Sequence, residues 1–157
     1  MSTESRIRCQ KLSKRIMSAR DAASLIPSGV NVGMSGFTGA GYPKAVPQAL
    51  AEHIRDHRAR GENFRISVWT GASTAPELDG ALAEVDGIEM RLPYQSDPLC
   101  RQKINDGHME YMDIHLSHVA QHAWSGFYGK LDIAVIEVVG VTEDGRLIPS
   151  SSVGNNK

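Results

Sequence analysis

The chain is poor in the features that mark specialised classes. It has only two cysteines in 157 residues, Cys9 and Cys100. They are too few for a disulfide scaffold and too far apart for a CxxC site, so a reducing, cytoplasmic setting is expected. Charge of one sign is also lacking: 17 Lys and Arg stand against 18 Asp and Glu, a net charge of −1. That balance argues against a dedicated nucleic-acid binder, which carries a basic stripe. Apolar runs stop at about six residues, far short of the ~20 that a membrane span needs. No apolar stretch follows the basic N-terminus, so no secretory signal is read there, and Glu4 fits a mitochondrial transit peptide poorly. What remains is 41% hydrophobic and 22% charged, the profile of one ordinary globular domain.

Residues 1–17 are polar and basic without an apolar face and are expected to form a weakly ordered arm; residues 18–157 make the domain. Ser18 is placed to cap a helix over 18–26, which Pro27 and Gly29 stop. Residues 30–34 read as a strand. Over 44–57, Val46, Ala49, Leu50, His53 and Ile54 recur at helical spacing, with Pro47 tolerated in the first turn. Strand 64–70, helix 76–85, strand 88–92 and helix 98–105 follow, the last opened by Asp97-Pro98 and closed by Asp106-Gly107. Residues 115–124 are expected to be helical and 131–138 to form the clearest buried strand. A strand–turn–strand closes the pattern over 140–149. Repeated strand–loop–helix units imply an α/β fold, a mostly parallel sheet with flanking helices. In such sheets ligands bind at the carboxyl ends of the strands, so the loops there are where chemistry is sought. The sequence stops in a loop, an odd place for a domain to end, and an incomplete domain is expected.

Four segments and one further residue carry candidate chemistry. Ser35-Gly-Phe-Thr-Gly-Ala-Gly-Tyr-Pro-Lys44 lies between a strand and a helix, where glycines can turn N–H groups toward an anion. It lacks the Gly-Lys-[Ser/Thr] of a P-loop and holds only half a dinucleotide fingerprint. A tight structural turn and a phosphate or acyl site both fit. Thr70-Gly-Ala-Ser-Thr74 offers small hydroxyls at a strand end; Ser73 or Thr74 could instead cap the helix from Pro76. In Pro93-Tyr-Gln-Ser-Asp97, Ser96 could bind a carboxylate or cap the helix from Pro98, and spacing favours the cap. His115, His118 and His122 fall within about 60° on one helical face, but lack the partner ligands a zinc site needs, so a polar face is expected and no metal. Glu137 ends the apolar run 133–136. It could be a base or nucleophile with a raised pKa, or a strand-end carboxylate bound to backbone, which is the favoured reading.

Read together and in order, the glycine loop 35–44, Thr70-Gly71-Ala72-Ser73, Pro93-Tyr94-Gln95-Ser96, Asp113-Ile-His-Leu-Ser-His-Val-Ala120, Gly126-Phe-Tyr-Gly129, the run 133–137 and Ser151-Ser-Val-Gly-Asn155 resemble the N-terminal part of the acetyl-CoA hydrolase/transferase family. The resemblance extends from about residue 18 to 155. It implies a NagB/RpiA/CoA-transferase-like α/β fold and an acyl-CoA hydrolase or CoA-transferase acting on acetyl-CoA or succinyl-CoA with a small carboxylate. It also implies coenzyme A as part of the substrate rather than a cofactor, a second α/β domain of the same enzyme as partner, and a homodimer at full length. The family's nucleophile, a glutamate that attacks the thioester, belongs to that second domain. No catalytic residue is therefore expected in this chain, and Glu137 is not the family's glutamate. The resemblance places Ser73 in the carboxylate pocket, Ser96 where relatives carry Thr or another small hydroxyl residue, and Gly36, Thr38, Gly39 and Gly71 in the loops beside it. The chain alone is expected to be inactive. A free-standing phosphate- or nucleotide-binding module and an inactive fragment are the alternatives.

Overall fold

A computed structural model of the chain describes residues 6–155. Ser18 caps the first helix read from the sequence: its hydroxyl accepts from the Asp21 N–H, and Asp21 answers with a carboxylate that accepts from the Ser18 backbone, a closed capping box. In chain order the helices are α1 (Gln10–Ser13), α2 (Ala19–Ser24), α3 (Ala45–Ala59), α4 (Ala81–Glu84), α5 (Pro98–Asn105) and α6 (Leu116–Trp124). The strands are β1 (Asn31–Met34), β2 (Ile66–Thr70), β3 (Ile88–Leu92), β4 (Glu110–Tyr111), β5 (Ile133–Val135), β6 (Val138–Val141) and β7 (Leu147–Pro149). The arm read over 1–17 lies outside the described residues for 1–5. From Arg6 onward it carries structure not read from the sequence: Ile7 bridges Val141, and α1 follows.

The main sheet runs β4-β3-β2-β1-β5, and every pairing in it is parallel. After β1 the chain steps outward through β2, β3 and β4, then crosses to β5 on the far side of β1. This reversal beside β1 is the switch point at which a doubly wound sheet opens a crevice. One face is covered by α2 to α5: Ala23, Leu50, Ile54, Leu82 and Cys100 pack on Val32, Ile66, Val68 and Ile88. Leu50 and Ile54 are fully buried, each stabilising the fold by about 1.5–3 kcal/mol. On the other face α6 lays Val119 against Trp69 and Leu92.

Two elements differ from the sequence reading. The helix expected over 76–85 begins as a π turn, Pro76–Gly80, before α4. The run 131–138 is not one buried strand. It pairs with β1 only over β5, breaks at Ile136 and Glu137, and resumes as β6 in a separate antiparallel pair with β7. β5 is a sheet edge, and its Ala134 is exposed. Composition made it look interior because an apolar edge strand and a central one share the same residue types.

A bulge in β3 matters for the site. Ile66 pairs with Ile88 but Ser67 pairs with Met90, so Glu89 is an extra residue. The slip turns the strand over. Ile88 packs with α3 and α4, Met90 and Leu92 pack under α6, and Arg91 returns to the α4 side, where Asp79 waits.

Candidate functional site

Three loops meet at the carboxyl edge of β1 and β2. The first, 35–44, closes on itself through Phe37 and Ala40, which exchange N–H···O bonds of 2.9 and 3.1 Å. Between them Thr38 takes a positive φ of 48°. The second loop, 70–74, runs alongside: the Thr38 N–H donates to the Ala72 carbonyl and the Thr74 N–H to the Thr38 carbonyl, at 2.9 and 3.1 Å. The third, 151–155, wedges onto both. A Cβ on Gly154 would stand 2.2 Å from the Gly36 carbonyl oxygen, one on Gly71 2.6 Å from the Gly154 Cα, and one on Gly41 2.4 Å from the Ser152 oxygen. Glycine is required here because backbone lies directly on backbone.

The N–H groups of Phe37, Thr38 and Ala40 are spent on carbonyls. Both capping alternatives fall. Ala75 precedes the π turn with no side-chain cap, and Asp97 caps α5, accepting from the Leu99 and Cys100 N–H groups at 3.0 Å each. The hydroxyls read as caps face across the loops instead: Ser96 Oγ donates to Thr74 Oγ1 at 3.0 Å.

Ser73 is fully buried, and its Oγ has no hydrogen-bond partner among the described residues. Its backbone is held from both sides, by Thr70 Oγ1 on its N–H (3.1 Å) and by Arg91 Nη2 donating to its carbonyl (2.6 Å). Arg91 belongs to a fully buried ion pair: Nε donates to Asp79 Oδ1 at 2.8 Å, and both side chains are 0% exposed. Asp79 also accepts from Gln95 Nε2 at 2.9 Å and from the Ala75 N–H at 3.1 Å. One guanidinium and one carboxylate thus tie the Ser73 loop to the 93–97 loop. Sequence reasoning missed both residues. Burial also pushes the neighbouring Cys100 thiol far up, with Asp79 adding to the effect, so this cysteine is an inert core residue.

A cavity of about 170 Å³ opens at the switch point. Trp69, Val119, Trp124, Leu131 and Ile136 give it apolar walls, and Ser35, Thr70 and Asn155 give it polar atoms. Two buried donors there, Trp69 Nε1 and Asn155 Nδ2, have no partner among the described residues. None of Gly36, Thr38, Gly39, Gly71, Ser73 and Ser96 lines it. The structure does gather Gly36, Thr38, Gly71, Ser73 and Ser96 on the adjoining loops, with Thr70 joining loop to cavity. Gly39 stands apart, exposed, with nothing within 4 Å of an added Cβ.

Glu137 lies in the break between β5 and β6. Its carboxylate accepts from Lys44 Nζ and from Ser150 Oγ, both at 2.6 Å, and its N–H donates to Ser35 Oγ at 2.8 Å. Burial alone raises its pKa, but the Lys44 and Ser150 hydrogen bonds and the Lys44 charge outweigh this and hold it below the ordinary 4.5. A carboxylate so held is a strut rather than a base with a raised pKa. Its contribution to stability is present above the ordinary value and disappears as pH falls through the depressed one. Glu137→Gln should cost about 1 kcal/mol at neutral pH, because Lys44 is half exposed. It should also flatten the loss of melting temperature from neutral to strongly acid solution. Equal acid sensitivity of variant and parent would contradict the strut.

His115, His118 and His122 remain a loose row, with ring centres 5.8 and 5.7 Å apart. His115 caps α6, accepting from the Ser117 N–H, and His122 contacts the Tyr128 hydroxyl at 3.2 Å.

The fold is shared with solved CoA-transferases. An acyl-CoA transferase of Escherichia coli O157:H7 matches 71% of this chain with 22% of its own, at a TM-score of 0.57 and 14% identity. Glutaconate coenzyme A-transferase of Acidaminococcus fermentans matches 73% of the chain with 36% of its own, at a TM-score of 0.53 and 16% identity. The sequence goes further: residues 1–157 match the acetyl-CoA hydrolase/transferase N-terminal domain, and the chain belongs to that family. Succinyl-CoA:acetate CoA-transferase of Clostridium kluyveri is 46% identical over 98% of the chain, which corresponds to 28% of that enzyme. Acetyl-CoA hydrolase of Schizosaccharomyces pombe is 38% identical over 96% of the chain, or 30% of its own length. The chain therefore spans under a third of the curated relatives it matches.

Proposed function

We propose that the chain is the N-terminal portion of an acyl-CoA hydrolase or CoA-transferase, and that it supplies one wall of the pocket for a small carboxylate or acyl group. The observation that carries this is the junction of three glycine-bearing loops at the carboxyl edge of β1 and β2, with Ser73, Thr74 and Ser96 hydroxyls set into it. A carboxylate that must approach a nucleophile closely suits small hydroxyl donors. A lysine there would hold ground state and transition state alike. The orphaned Ser73 hydroxyl supports the reading: a buried donor without an acceptor costs about 1–3 kcal/mol, which a ligand oxygen would offset. Coenzyme A enters as part of the substrate. The second α/β domain of the same enzyme completes the cleft, and the full-length protein is a cytoplasmic homodimer. Among the described residues no helix is long and apolar enough to cross a membrane.

Transfer by the family's route needs a carboxylate about 3 Å from the thioester carbon and donors aimed at the oxyanion. The best-placed carboxylate here, Glu137, is bound to Lys44 and Ser150. The purified chain, incubated with acetyl-CoA or with succinyl-CoA plus acetate, is accordingly expected to release no free thiol and form no new CoA ester. Turnover abolished by Glu137→Gln would overturn this and place the nucleophile within the chain.

A further inference from the structure

Far from the loops, on α3, a second cluster has a geometry of its own. His53 and His57 are four residues apart on one helical face. Their Nε2 atoms are 3.1 Å from each other, and their ring centres are 4.5 Å apart at 68°. Ring centres that close do not allow the two rings to meet end-on. Two imidazole nitrogens bound to one ion at about 2.0–2.1 Å stand about 2.8–3.4 Å apart for square to tetrahedral angles. The observed separation lies inside that window.

The surroundings fix the pair in this pose. His57 Nδ1 contacts Glu62 Oε2, and an ionised carboxylate only accepts, so Nδ1 is the donor there. The two Nε2 atoms share a hydrogen bond, and a metal ion would take the place of the proton between them. Glu62 is held in turn by Arg60 Nε at 3.1 Å. Phe64 packs edge-on to His53 at 5.5 Å and tilted to His57 at 5.0 Å. A carboxylate behind a histidine is the arrangement that orients metal-bound imidazole in known sites. The nearby guanidiniums are engaged, Arg60 on Glu62 and Arg58 on the Asp86 carbonyl.

We infer that His53 and His57 form a two-nitrogen chelate for a divalent late transition-metal ion such as Ni²⁺ or Zn²⁺, with Glu62 as its orienting carboxylate. Among the described residues no group of three or more His, Cys, Asp or Glu is placed to hold a metal, so water fills the remaining positions. This separates the pair from the row on α6, whose rings stand more than an ångström further apart.

The test is calorimetric titration of the 157-residue chain with nickel chloride and with zinc chloride. One ion per chain is expected, with binding lost in His53→Gln and in His57→Gln and unchanged in His118→Gln. Glu62→Gln removes only an exposed carboxylate, so it keeps the fold and should weaken affinity about tenfold or more. In the parent chain nickel should also raise the melting temperature, as any ligand of the native state does. No heat from the parent, equal affinity in Glu62→Gln, or loss confined to His118→Gln would each overturn the proposal.

Discussion

Arg91→Ala is expected to destabilise the chain by about 3–5 kcal/mol, the range for stranding one partner of a buried ion pair. At about 2–4 °C per kcal/mol for a domain of this size, the melting temperature should fall by about 6–20 °C. The reason is local. Asp79 would keep the Gln95 and Ala75 donors but lose its guanidinium at 0% exposure, and the Ser73 carbonyl would lose its donor. Arg91→Met combined with Asp79→Leu removes both charges and should recover part of the loss, the Ala75 and Gln95 donors and the Ser73 carbonyl staying unpaired. Thermal unfolding of both variants is the check. A single-variant loss under about 1 kcal/mol would mean that the pair is not buried as described.

Ser73→Ala is expected to do the opposite: little to stability and much to binding. Removing an unpartnered hydroxyl relieves a desolvation cost, so the chain should melt at the same temperature or higher. In an enzyme with a complete cleft, losing a hydrogen bond to a charged oxygen costs roughly 1.5–3 kcal/mol. That is about a ten- to hundredfold rise in KM for the carboxylate, with KM for the acyl-CoA little changed. A suitable background is a hybrid in which this chain replaces the matching portion of the Clostridium kluyveri transferase, its 46% identical relative. An unchanged carboxylate KM beside a lowered melting temperature would make Ser73 a structural residue only.

Much of the architecture was legible because punctuation and period agreed. Ser18 caps its helix as its position suggests, and Leu50 and Ile54 bury the face their period predicts. The misreadings have physical causes. The run 131–138 is apolar throughout, and neither its edge position nor the break before Glu137 leaves a mark in composition. Ser96 stands where a cap would stand, but Asp97, one residue on, is the stronger acceptor and takes the N–H groups of α5. Arg91 and Asp79 escape notice in the sequence, and strict alternation puts Arg91 with Glu89. Only the bulge at Glu89 turns it inward. His53 recurs within an apolar stripe, and nothing in a four-residue spacing reveals that its nitrogen meets that of His57. Within the candidate site, glycine positions were readable as positions. Which backbone each must admit, such as Gly154 against the Gly36 carbonyl, needed the three loops to be assembled.

The most direct test of the central claim is succinyl-CoA:acetate exchange by the Clostridium kluyveri hybrid, measured beside the remainder of that transferase without this chain. If the chain supplies a wall of the carboxylate pocket, the hybrid transfers CoA to acetate and the remainder alone does not. A folded hybrid without turnover, or a remainder that needs no N-terminal portion, would contradict the account.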